Sequence, residues 1–498
     1  MRFRSSLLLA LALTLAACHQ TPPPAAAPTP PPLSTTIDEL RRDIDATLAA
    51  PDLARAYWGI LVTSLRTGET MYAMNAGRLL MPGSAIKIAT LAAAAERLGW
   101  NYAYDTRVLG SGAINAGVLN GDLLVVGSGD PSIVDAAHLF DNWADSLKAS
   151  GVRVIAGRIV GDDNVFDDER FGPGWTWEDL ADRDGAAIGG LQYNENVALA
   201  TIAPGLGFGA PAQITVTPRG HGLTVVSRVT TSPAGTGAAV QARRPSGSTR
   251  LELEGTVPLG GAPVLRTVAV ENPTLFFVTA LREALVARGI DVRGPAVDID
   301  DITDAPSRTG GVPLITYTSP PLSALAVRMM KNSQNLYAET LLKTMGSLVN
   351  APTWEASLKE ERATLERWGV APAGLVQVDG SGLSRYNYVS PESLVAILAH
   401  VDRDQRLRDP FEAALPVAGR DGTLAARMRG TPADNNARAK TGTLANTRSL
   451  AGYVTDADGN PLAFAIVANN YGNVPPDVVT AAIDRIVVRL ALLRRRSS

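Results

Sequence analysis

Three short motifs lie far apart along this chain, and their spacing constrains its fold more than any other feature. Each motif carries hydroxyl, amine or amide side chains: Ser84-Ala85-Ile86-Lys87, Ser333-Gln334-Asn335 and Lys440-Thr441-Gly442-Thr443. A compact domain of sheet and helices needs far fewer residues than those separating Ser84 from Ser333. The sequence therefore predicts a large insertion within a domain that both ends of the chain build.

The first motif pairs a hydroxyl with an amine. Ser84 and Lys87 are three residues apart, so on a helix they share one face. A serine hydroxyl is a weak nucleophile at neutral pH and needs a nearby base. A lysine can be that base if burial or positive charge lowers the pKa of its amine, and Lys440 or Lys331 is a candidate for supplying the charge. The motif predicts acyl transfer by a serine and lysine pair.

The other two motifs supply groups that such a reaction needs. Ser333 offers a hydroxyl that can pass a proton to the leaving group, and Asn335 offers an amide that can hold a substrate peptide bond. The third motif is typical of an edge strand, on which Lys440 and Gly442 alternate onto one face. Glycine at that position is expected to let a substrate backbone approach closely.

Each motif alone is a weak signal, since similar triplets occur on ordinary helix surfaces, caps and strand ends. Their combination in this order favours catalysis. The histidines, which are His19, His138, His221 and His400, stand in neither nucleophile-elbow nor metal-ligand spacing. A Ser-His-Asp triad and a metallohydrolase are therefore poorly supported, and we expect no metal and no cofactor. A net charge of −3 without a basic patch argues against nucleic acid as a partner.

The first residues resemble a targeting signal. Basic Arg2 and Arg4 precede an apolar stretch that is too short to span a bilayer, which predicts a signal peptide over residues 1–17. Leu15-Ala16-Ala17-Cys18 resembles the lipobox of bacterial lipoproteins, so Cys18, the only cysteine, is the predicted lipidation site. Residues 18–35 then form a proline- and alanine-rich linker. We expect a periplasmic enzyme of the cell envelope, attached to a membrane through lipid alone, and sorting to the outer membrane is compatible with His19. An uncleaved leader on a secreted protein is the alternative.

The body of the chain is long enough for two or three domains. Residues 36–104 and 320–498 are predicted to form the catalytic domain, with an antiparallel sheet and packed helices at its end. Residues 105–319 are the predicted insertion, with a β-rich module at about 210–270. Apolar periodicity predicts helices over 36–50, 85–98, 141–149, 273–288, 323–330, 335–345, 352–368, 390–401 and 477–494. Strands are predicted over 57–63, 69–73, 123–126, 153–160, 213–217, 223–231, 251–253, 437–441, 449–455 and 462–469.

Taken together, these residues resemble the low-molecular-mass class C penicillin-binding proteins, the D-alanyl-D-alanine carboxypeptidase/endopeptidase family (serine peptidase family S13). The likeness covers nearly all of the chain after the linker, and the long gap after the nucleophile is characteristic of that family. Further shared segments are residues 379–385 (DGSGLSR), 389–391 (VSP), 173–175 (PGW), 194–196 (NEN) and 449–453 (SLAGY). The resemblance implies a mixed α/β fold of the penicillin-binding-protein and β-lactamase type.

The resemblance also implies a substrate and a role for each site residue. Ser84 would attack a peptidoglycan stem peptide ending in D-Ala-D-Ala, or a D-amino-acid cross-link, with Lys87 as base. Backbone amides of Ser84 and Thr443 would hold the oxyanion. Ser333 and Lys440 would help to protonate the leaving amine, while Asn335, Lys440, Thr441 and Thr443 would bind substrate. β-Lactams would act as inhibitors that acylate Ser84.

Two other functions remain open from the sequence. A β-lactamase would need a dedicated base for rapid deacylation, yet no Glu-x-x-x-Asn motif stands between the first and third motifs, and related β-lactamases lack the long insertion. A non-catalytic envelope lipoprotein that keeps the fold as a binding module is the second. It would not need the full set that the motifs retain, which is Ser84, Lys87, Ser333, Asn335 and Lys440.

Overall fold

The helices follow the apolar and alanine-rich segments of the sequence. In the computed structural model, which describes residues 36–134 and 136–494, they are α1 (Ile37–Leu48), α2 (Lys87–Leu98), α3 (Ala136–Ala149), α4 (Pro273–Ala287), α5 (Leu322–Lys331), α6 (Asn335–Ser347), α7 (Trp354–Arg367), α8 (Pro391–Arg403), α9 (Gln405–Ala414) and α10 (Pro476–Ala491). Thr36 caps α1 in a capping box with Glu39. Helix α2 is buried on every side from Lys87 to Ala95, as a helix that is apolar all round must be.

The strands are more numerous and many are short. They are β1 (Tyr57–Ser64), β2 (Thr70–Met74), β3 (Asp105–Gly110), β4 (Ile114–Asn115), β5 (Val118–Leu119), β6 (Leu123–Val126), β7 (Val154–Ile155), β8 (Ile159–Asp162), β9 (Val197–Ala203), β10 (Gln213–Thr217), β11 (Thr224–Ser232), β12 (Ala239–Arg243), β13 (Arg250–Pro258), β14 (Val264–Ala269), β15 (Asp291–Val292), β16 (Ala296–Asp298), β17 (Val312–Thr318), β18 (Leu375–Val376), β19 (Tyr388–Val389), β20 (Arg438–Leu444), β21 (Thr447–Thr455) and β22 (Pro461–Asn469).

The sheet that carries the third motif is assembled from both ends of the chain. Its strand order is β2-β1-β22-β21-β20, and every neighbouring pair is antiparallel. Buried residues of α2 and α8 pack with Ala451 and Ala465 in one core, while α1 and α10 pack with Leu450 and Ile466 in another. Since Leu450 and Ala451 are successive residues of one strand, their side chains leave opposite faces, and helices cover the sheet on both sides. The mixed α/β fold expected from the family is confirmed.

The residues between α2 and α5 form several smaller sheets. A mixed sheet has the order β16-β8-β6-β3-β17, and a second has the order β15-β7-β5-β4. Two three-stranded sheets, β10-β9-β14 and β11-β13-β12, occupy residues 197–269. The β-rich part therefore also contains β9, which lies before residue 210. The division of the chain into domains stays a prediction.

Helix α3 and strand β13 are longer than predicted, and two further differences change how elements connect. The segment 153–160 is divided into β7 and β8, which join different sheets because the chain turns at Gly157, where a Cβ would lie 2.3 Å from Asp122 Oδ1. Helix α2 starts at Lys87 and not at residue 85, because Gly83–Ile86 form a 3-10 turn ahead of it. Ser84 thus lies in this turn rather than in an α-helix. In a 3-10 turn the side chains at i and i+3 eclipse, so Ser84 still faces Lys87.

Among the described residues, no helix combines the length and apolarity that crossing a membrane requires. The predicted signal peptide, the linker and Cys18 all lie outside the described part of the chain.

Candidate active site

The turn that carries Ser84 is bound directly to the five-stranded sheet. The Asn469 side chain of β22 accepts a hydrogen bond from the Met81 amide at 2.8 Å and donates to the Met81 carbonyl at 3.1 Å. The Ser449 hydroxyl of β21 donates to the carbonyl of Pro82 at 2.5 Å. The segment just before Ser84 is therefore held to the sheet through the backbone of Met81 and Pro82.

Lys87 places its amine against Ser84. Its Nζ lies 2.9 Å from Ser84 Oγ, and it also donates to Asn335 Oδ1 at 2.6 Å and to the Ser381 carbonyl at 2.8 Å. The side chain is fully buried. A hydroxyl and an amine at this distance can exchange a proton directly.

A second lysine is paired with the hydroxyl of the second motif. Lys440 Nζ lies 2.9 Å from Ser333 Oγ and donates to the Thr441 carbonyl at 2.8 Å. Ser333 stands between α5 and α6 with φ at +56°, a left-handed backbone that non-glycine residues adopt rarely. The structure thus brings the first, second and third motifs together.

Asn335 begins helix α6, and both ends of its amide are used within the site. Its Oδ1 accepts from Lys87, and its Nδ2 donates to the Asp184 carbonyl at 2.8 Å. The neighbouring Gln334 turns away and donates to Glu195. Asn335 therefore positions the Lys87 amine, in addition to the role in substrate binding that the sequence predicts.

Gly442 has a different role from the one that the sequence suggested. A Cβ at this residue would lie 2.0 Å from the Pro82 carbonyl oxygen and 3.0 Å from the Ala85 amide. The expectation that Gly442 makes room for a substrate is therefore wrong, because the space is taken by the backbone of the nucleophile segment. The missing side chain lets β20 lie close beside Ser84 and brings the Thr443 amide against Gly83, whose Cβ would meet that nitrogen at 2.8 Å.

These groups border one cleft of about 280 Å³. Ser84, Ser333, Asn335, Thr441 and Thr443 line it. The hydroxyl of Thr441 also bonds that of Thr423 at 2.9 Å. Lys87 and Lys440 lie behind this surface with their side chains buried. The cleft therefore exposes the hydroxyls of all three motifs and keeps both amines out of water.

Burial is the main influence on both amines. Together with the positive charge of Arg183, and against the carboxylates of Glu339, Asp184 and Asp379, it lowers the pKa of Lys87 to about 8. Burial, and after it the charge of Lys87, lower the pKa of Lys440 well below its usual range. The sequence had offered Lys440 or Lys331 as the positive charge that lowers the pKa of Lys87, but the positive group that acts on it is Arg183. Lys331 is unsuited because it forms an ion pair with Asp421.

Several residues beside the site were not predicted to be there. Glu339 of α6 accepts hydrogen bonds from the amides of Gly380 and Ser381, and Arg183 and Asp184 of the insertion border the cleft. The DGSGLSR segment, residues 379–385, contributes the Ser381 carbonyl to Lys87. A backbone carbonyl carries no sequence signature, so only the fold could locate this contact.

Two tryptophans of the insertion, Trp175 and Trp177, differ in their burial and contacts. Trp175 packs against the main core and donates from its indole to Asp379 at 3.0 Å, so it anchors the DGSGLSR segment. Trp177 is 79% exposed. Trp175 is therefore an anchor against the core, and Trp177 is not.

One group of carboxylates outside the cleft has the spacing of a cation site. Oxygens of Asp163, Asp298 and Asp300 lie within 4.8 Å of one another. Arg170 and Asn272 already donate to Asp298, and Thr274 donates to Asp163. Side chains therefore satisfy much of this cluster.

Comparison with known proteins agrees with this geometry. Residues 40–490 match the family model described as the D-Ala-D-Ala carboxypeptidase 3 (S13) family. The chain is 35% identical over 475 residues to a D-alanyl-D-alanine carboxypeptidase of Actinomadura sp. (strain R39), which covers 91% of this chain and 85% of that protein. It is 26% identical over 423 residues to the D-alanyl-D-alanine carboxypeptidase DacB of Haemophilus influenzae, covering 83% of this chain and 85% of DacB.

The fold is similar to solved structures of the same kind. The crystal structure of penicillin-binding protein 4 (DacB) from Haemophilus influenzae superimposes with a TM-score of 0.79 and 25% identity, covering 90% of this chain and 98% of that one. A family model that spans nearly all of the described residues, together with a 35% identical relative, settles the assignment. The chain belongs to the D-Ala-D-Ala carboxypeptidase 3 (S13) family of serine peptidases.

Proposed function

We propose that the protein removes the terminal D-alanine of peptidoglycan stem peptides through an acyl-enzyme on Ser84. The observation that carries the proposal is the pair of 2.9 Å contacts, Lys87 Nζ to Ser84 Oγ and Lys440 Nζ to Ser333 Oγ, beside one cleft. Family membership identifies the bond to be cleaved as that between two D-alanines. The two contacts supply a base for the nucleophile and a proton route for the leaving group.

Acylation begins with proton transfer from Ser84 Oγ to the neutral Lys87 amine. The oxygen attacks the carbonyl of the penultimate D-alanine, and the amides of Ser84 and Thr443 hold the negative charge that develops. Because burial brings the pKa of Lys87 to about 8, a substantial share of the amine is neutral near that pH. A lysine in water, with a pKa near 10.4, would be almost entirely charged there.

The leaving amine needs the proton that Ser84 lost. Ser333 Oγ and Lys440 Nζ form the route that we propose, with Lys87 delivering the proton toward the amine through the Ser333 hydroxyl. Lys440, Thr441 and Thr443 bind the terminal carboxylate of the substrate, and Asn335 contacts its peptide bond. Water then cleaves the ester, which releases the shortened stem peptide and restores the Ser84 hydroxyl.

β-Lactams are proposed as inhibitors that acylate the same hydroxyl. Haemophilus influenzae penicillin-binding protein 4, whose fold this chain shares, has also been crystallised in complex with a β-lactam. A β-lactamase function is not favoured, because the chain matches the carboxypeptidase family over residues 40–490. The same match disfavours a purely structural envelope protein.

A D,D-endopeptidase activity follows from the same chemistry. The acyl donor of a peptidoglycan cross-link is again a D-alanine carbonyl, and only the leaving amine differs. We propose that the site accepts both leaving groups. Digestion of purified muropeptides, with products identified by mass, would separate D-alanine release from cross-link cleavage.

The location of the enzyme is a separate proposal that rests on the sequence. Leu15-Ala16-Ala17-Cys18 and the linker that follows support a lipid anchor on Cys18 of a periplasmic protein. Cys18→Ala should move the protein from the membrane fraction to the soluble fraction. Unchanged membrane association would contradict the anchor.

The activity itself is tested by incubating the protein with a stem pentapeptide that ends in D-Ala-D-Ala. Wild-type protein should release one equivalent of D-alanine per peptide, and the Ser84→Ala variant should release none. A folded wild-type protein that leaves the pentapeptide intact would refute the proposed function.

A further inference from the structure

A fully buried carboxylate lies behind Lys87 and has no part in the mechanism above. Glu339 stands four residues after Asn335 on α6, so both side chains leave the same face of the helix. Its carboxylate accepts hydrogen bonds from the Gly380 amide at 2.7 Å and from the Ser381 amide at 2.8 Å. An acidic side chain is almost never buried without partners that hold it there.

The turn that Glu339 holds is the one that contacts the catalytic amine. Ser381 donates its amide to Glu339 and accepts from Lys87 Nζ through its carbonyl at 2.8 Å. Gly382, the next residue, lies so close to Gly83 that a Cβ would stand 2.1 Å from the Gly83 carbonyl oxygen. A shift of this turn would therefore disturb both Lys87 and the segment that carries Ser84.

Asp379 fixes the other side of the same turn. Its carboxylate accepts from the amides of Gly382 at 2.8 Å and Ser384 at 2.7 Å, and from Asn387 Nδ2 at 2.7 Å. It is buried as well. Asp379 thus closes the turn on itself, whereas Glu339 ties the turn to α6, the helix that also supplies Asn335 to Lys87.

Glu339 also faces Lys87 electrostatically. Negative charge near the amine comes from Glu339 on α6, Asp379 in the turn and Asp184 in the insertion, and it favours the ammonium form. Arg183 in the insertion is the positive group that acts on the same amine, and the charge of Lys87 in turn acts on Lys440 of β20. Burial, and after it the charge of Asp379, raise the pKa of Glu339 to about 8, close to that of Lys87, while its two amide donors favour the carboxylate.

We propose that Glu339 is a positioning residue for the reaction. Its carboxylate fixes the Asp379–Gly382 turn so that the Ser381 carbonyl holds the Lys87 amine against Ser84, and its charge sets how readily that amine gives up its proton. This inference rests on the proposed function, in which Lys87 acts as the base. It assigns to Glu339 no contact with the substrate.

The test compares acylation by a fluorescent penicillin across pH in the wild type and in Glu339→Gln. Glutamine keeps the size of the side chain but loses the charge and one of the two acceptors. We expect the acylation rate constant at its pH optimum to fall by about 10²-fold, as for a displacement of about 1 Å at a reacting centre. We also expect a change in the acid limb, the part of the plot of rate against pH over which the rate rises as Lys87 loses its proton. It should move about one pH unit lower, since a neighbouring charge shifts a pKa by about 1–3 units and Glu339→Gln removes one beside Lys87.

The acid limb is the deciding observation, because a role in stability alone would not move it. A Glu339→Gln protein whose limb coincides with that of the wild type overturns the inference, whatever its rate. Glu355→Gln is the control for the substitution itself, since Glu355 is an exposed glutamate in the first turn of α7. It should leave both rate and limb unchanged, and an equal shift in the control would likewise overturn the inference.

A third variant covers the case in which Glu339→Gln does not fold. Glu339→Asp keeps the charge but withdraws the carboxylate from the turn, so its rate should fall at least tenfold while its acid limb stays within about half a pH unit of the wild type. A wild-type rate in Glu339→Asp would overturn the inference. If the wild-type protein itself takes no label, the proposed function fails, which is a distinct result.

Discussion

Replacing Gly442 with alanine tests how closely strand β20 must approach the nucleophile. The new Cβ would stand 2.0 Å from the Pro82 carbonyl oxygen and 2.1 Å from Ser449 Oγ, whereas ordinary contact begins at 3.4 Å. The hydroxyl of Ser449 can rotate, but the Pro82 carbonyl is backbone. Strand and segment must therefore separate by roughly 1.4 Å, the difference between the carbonyl distance and ordinary contact, because a packed interior has no spare volume.

That separation moves the Thr443 amide away from Ser84. A misplacement of about 1 Å can cost about 10²-fold in rate, and loss of one oxyanion donor costs about 10²- to 10³-fold. We therefore expect Gly442→Ala to lower the second-order rate constant of acylation by at least about 10²-fold, or about 2.7 kcal/mol in activation free energy. Overpacking of this kind should cost about 1–3 kcal/mol in the free energy of unfolding.

The assay is a time course of labelling with a fluorescent penicillin, and thermal unfolding is measured on the same samples. Gly237→Ala is the matched control, since a Cβ at Gly237 would have nothing within 4 Å. It should acylate at the wild-type rate. A folded Gly442→Ala protein that acylates within about threefold of the wild type would refute the close approach of β20 to the nucleophile and the oxyanion site inferred from it.

Three further predictions concern the amines and the second hydroxyl. Lys87→Ala should lower acylation by about 10²- to 10⁴-fold through loss of the base, with an unchanged circular dichroism spectrum; a normal rate would exclude Lys87 as the base. In the wild type, the acylation rate should rise with pH through about 8, because the neutral form of Lys87 is the active one, and a profile that is flat between pH 6 and pH 10 would contradict this. Ser333→Ala should slow peptide turnover more than it changes KM, because it interrupts the proton route through the Ser333 hydroxyl to the leaving amine; a change confined to KM would count against that route.

Much of the fold follows from local patterns in the sequence. The alanine-rich segment after Ser84 predicts a buried helix, and α2 is one, while the helix predicted from residue 36 begins at Ile37 in α1. Helix α9 was missed because Pro410 stands inside it, and proline normally ends a helix. Only residues 251–253 of strand β13 were predicted, because Gly255, with φ at +122°, and Pro258 weaken the strand pattern.

Some residues of the candidate site can be found from the sequence, and others only from the fold. Side chains with their own chemistry, such as Ser84, Lys87 and Lys440, can be found from motif spacing, because the spacing reflects a helix turn or a strand. The Ser381 carbonyl has no signature of this kind, and Glu339 resembles any acidic residue on a helix. The sequence places Gly442 near the site but does not show that it lies against Pro82 and Ala85, which are far away along the chain. Only the fold brings the two segments together, as the hydrogen bond from Ser449 to Pro82 also shows.

The most direct test of the account is the identity of the acylated residue. After reaction with benzylpenicillin, the protein should be digested and the modified peptide sequenced by mass spectrometry. The account predicts one penicilloyl group per chain, carried by Ser84, and no modification in Ser84→Ala. An adduct on any other residue, or a stoichiometric adduct in Ser84→Ala, would contradict it.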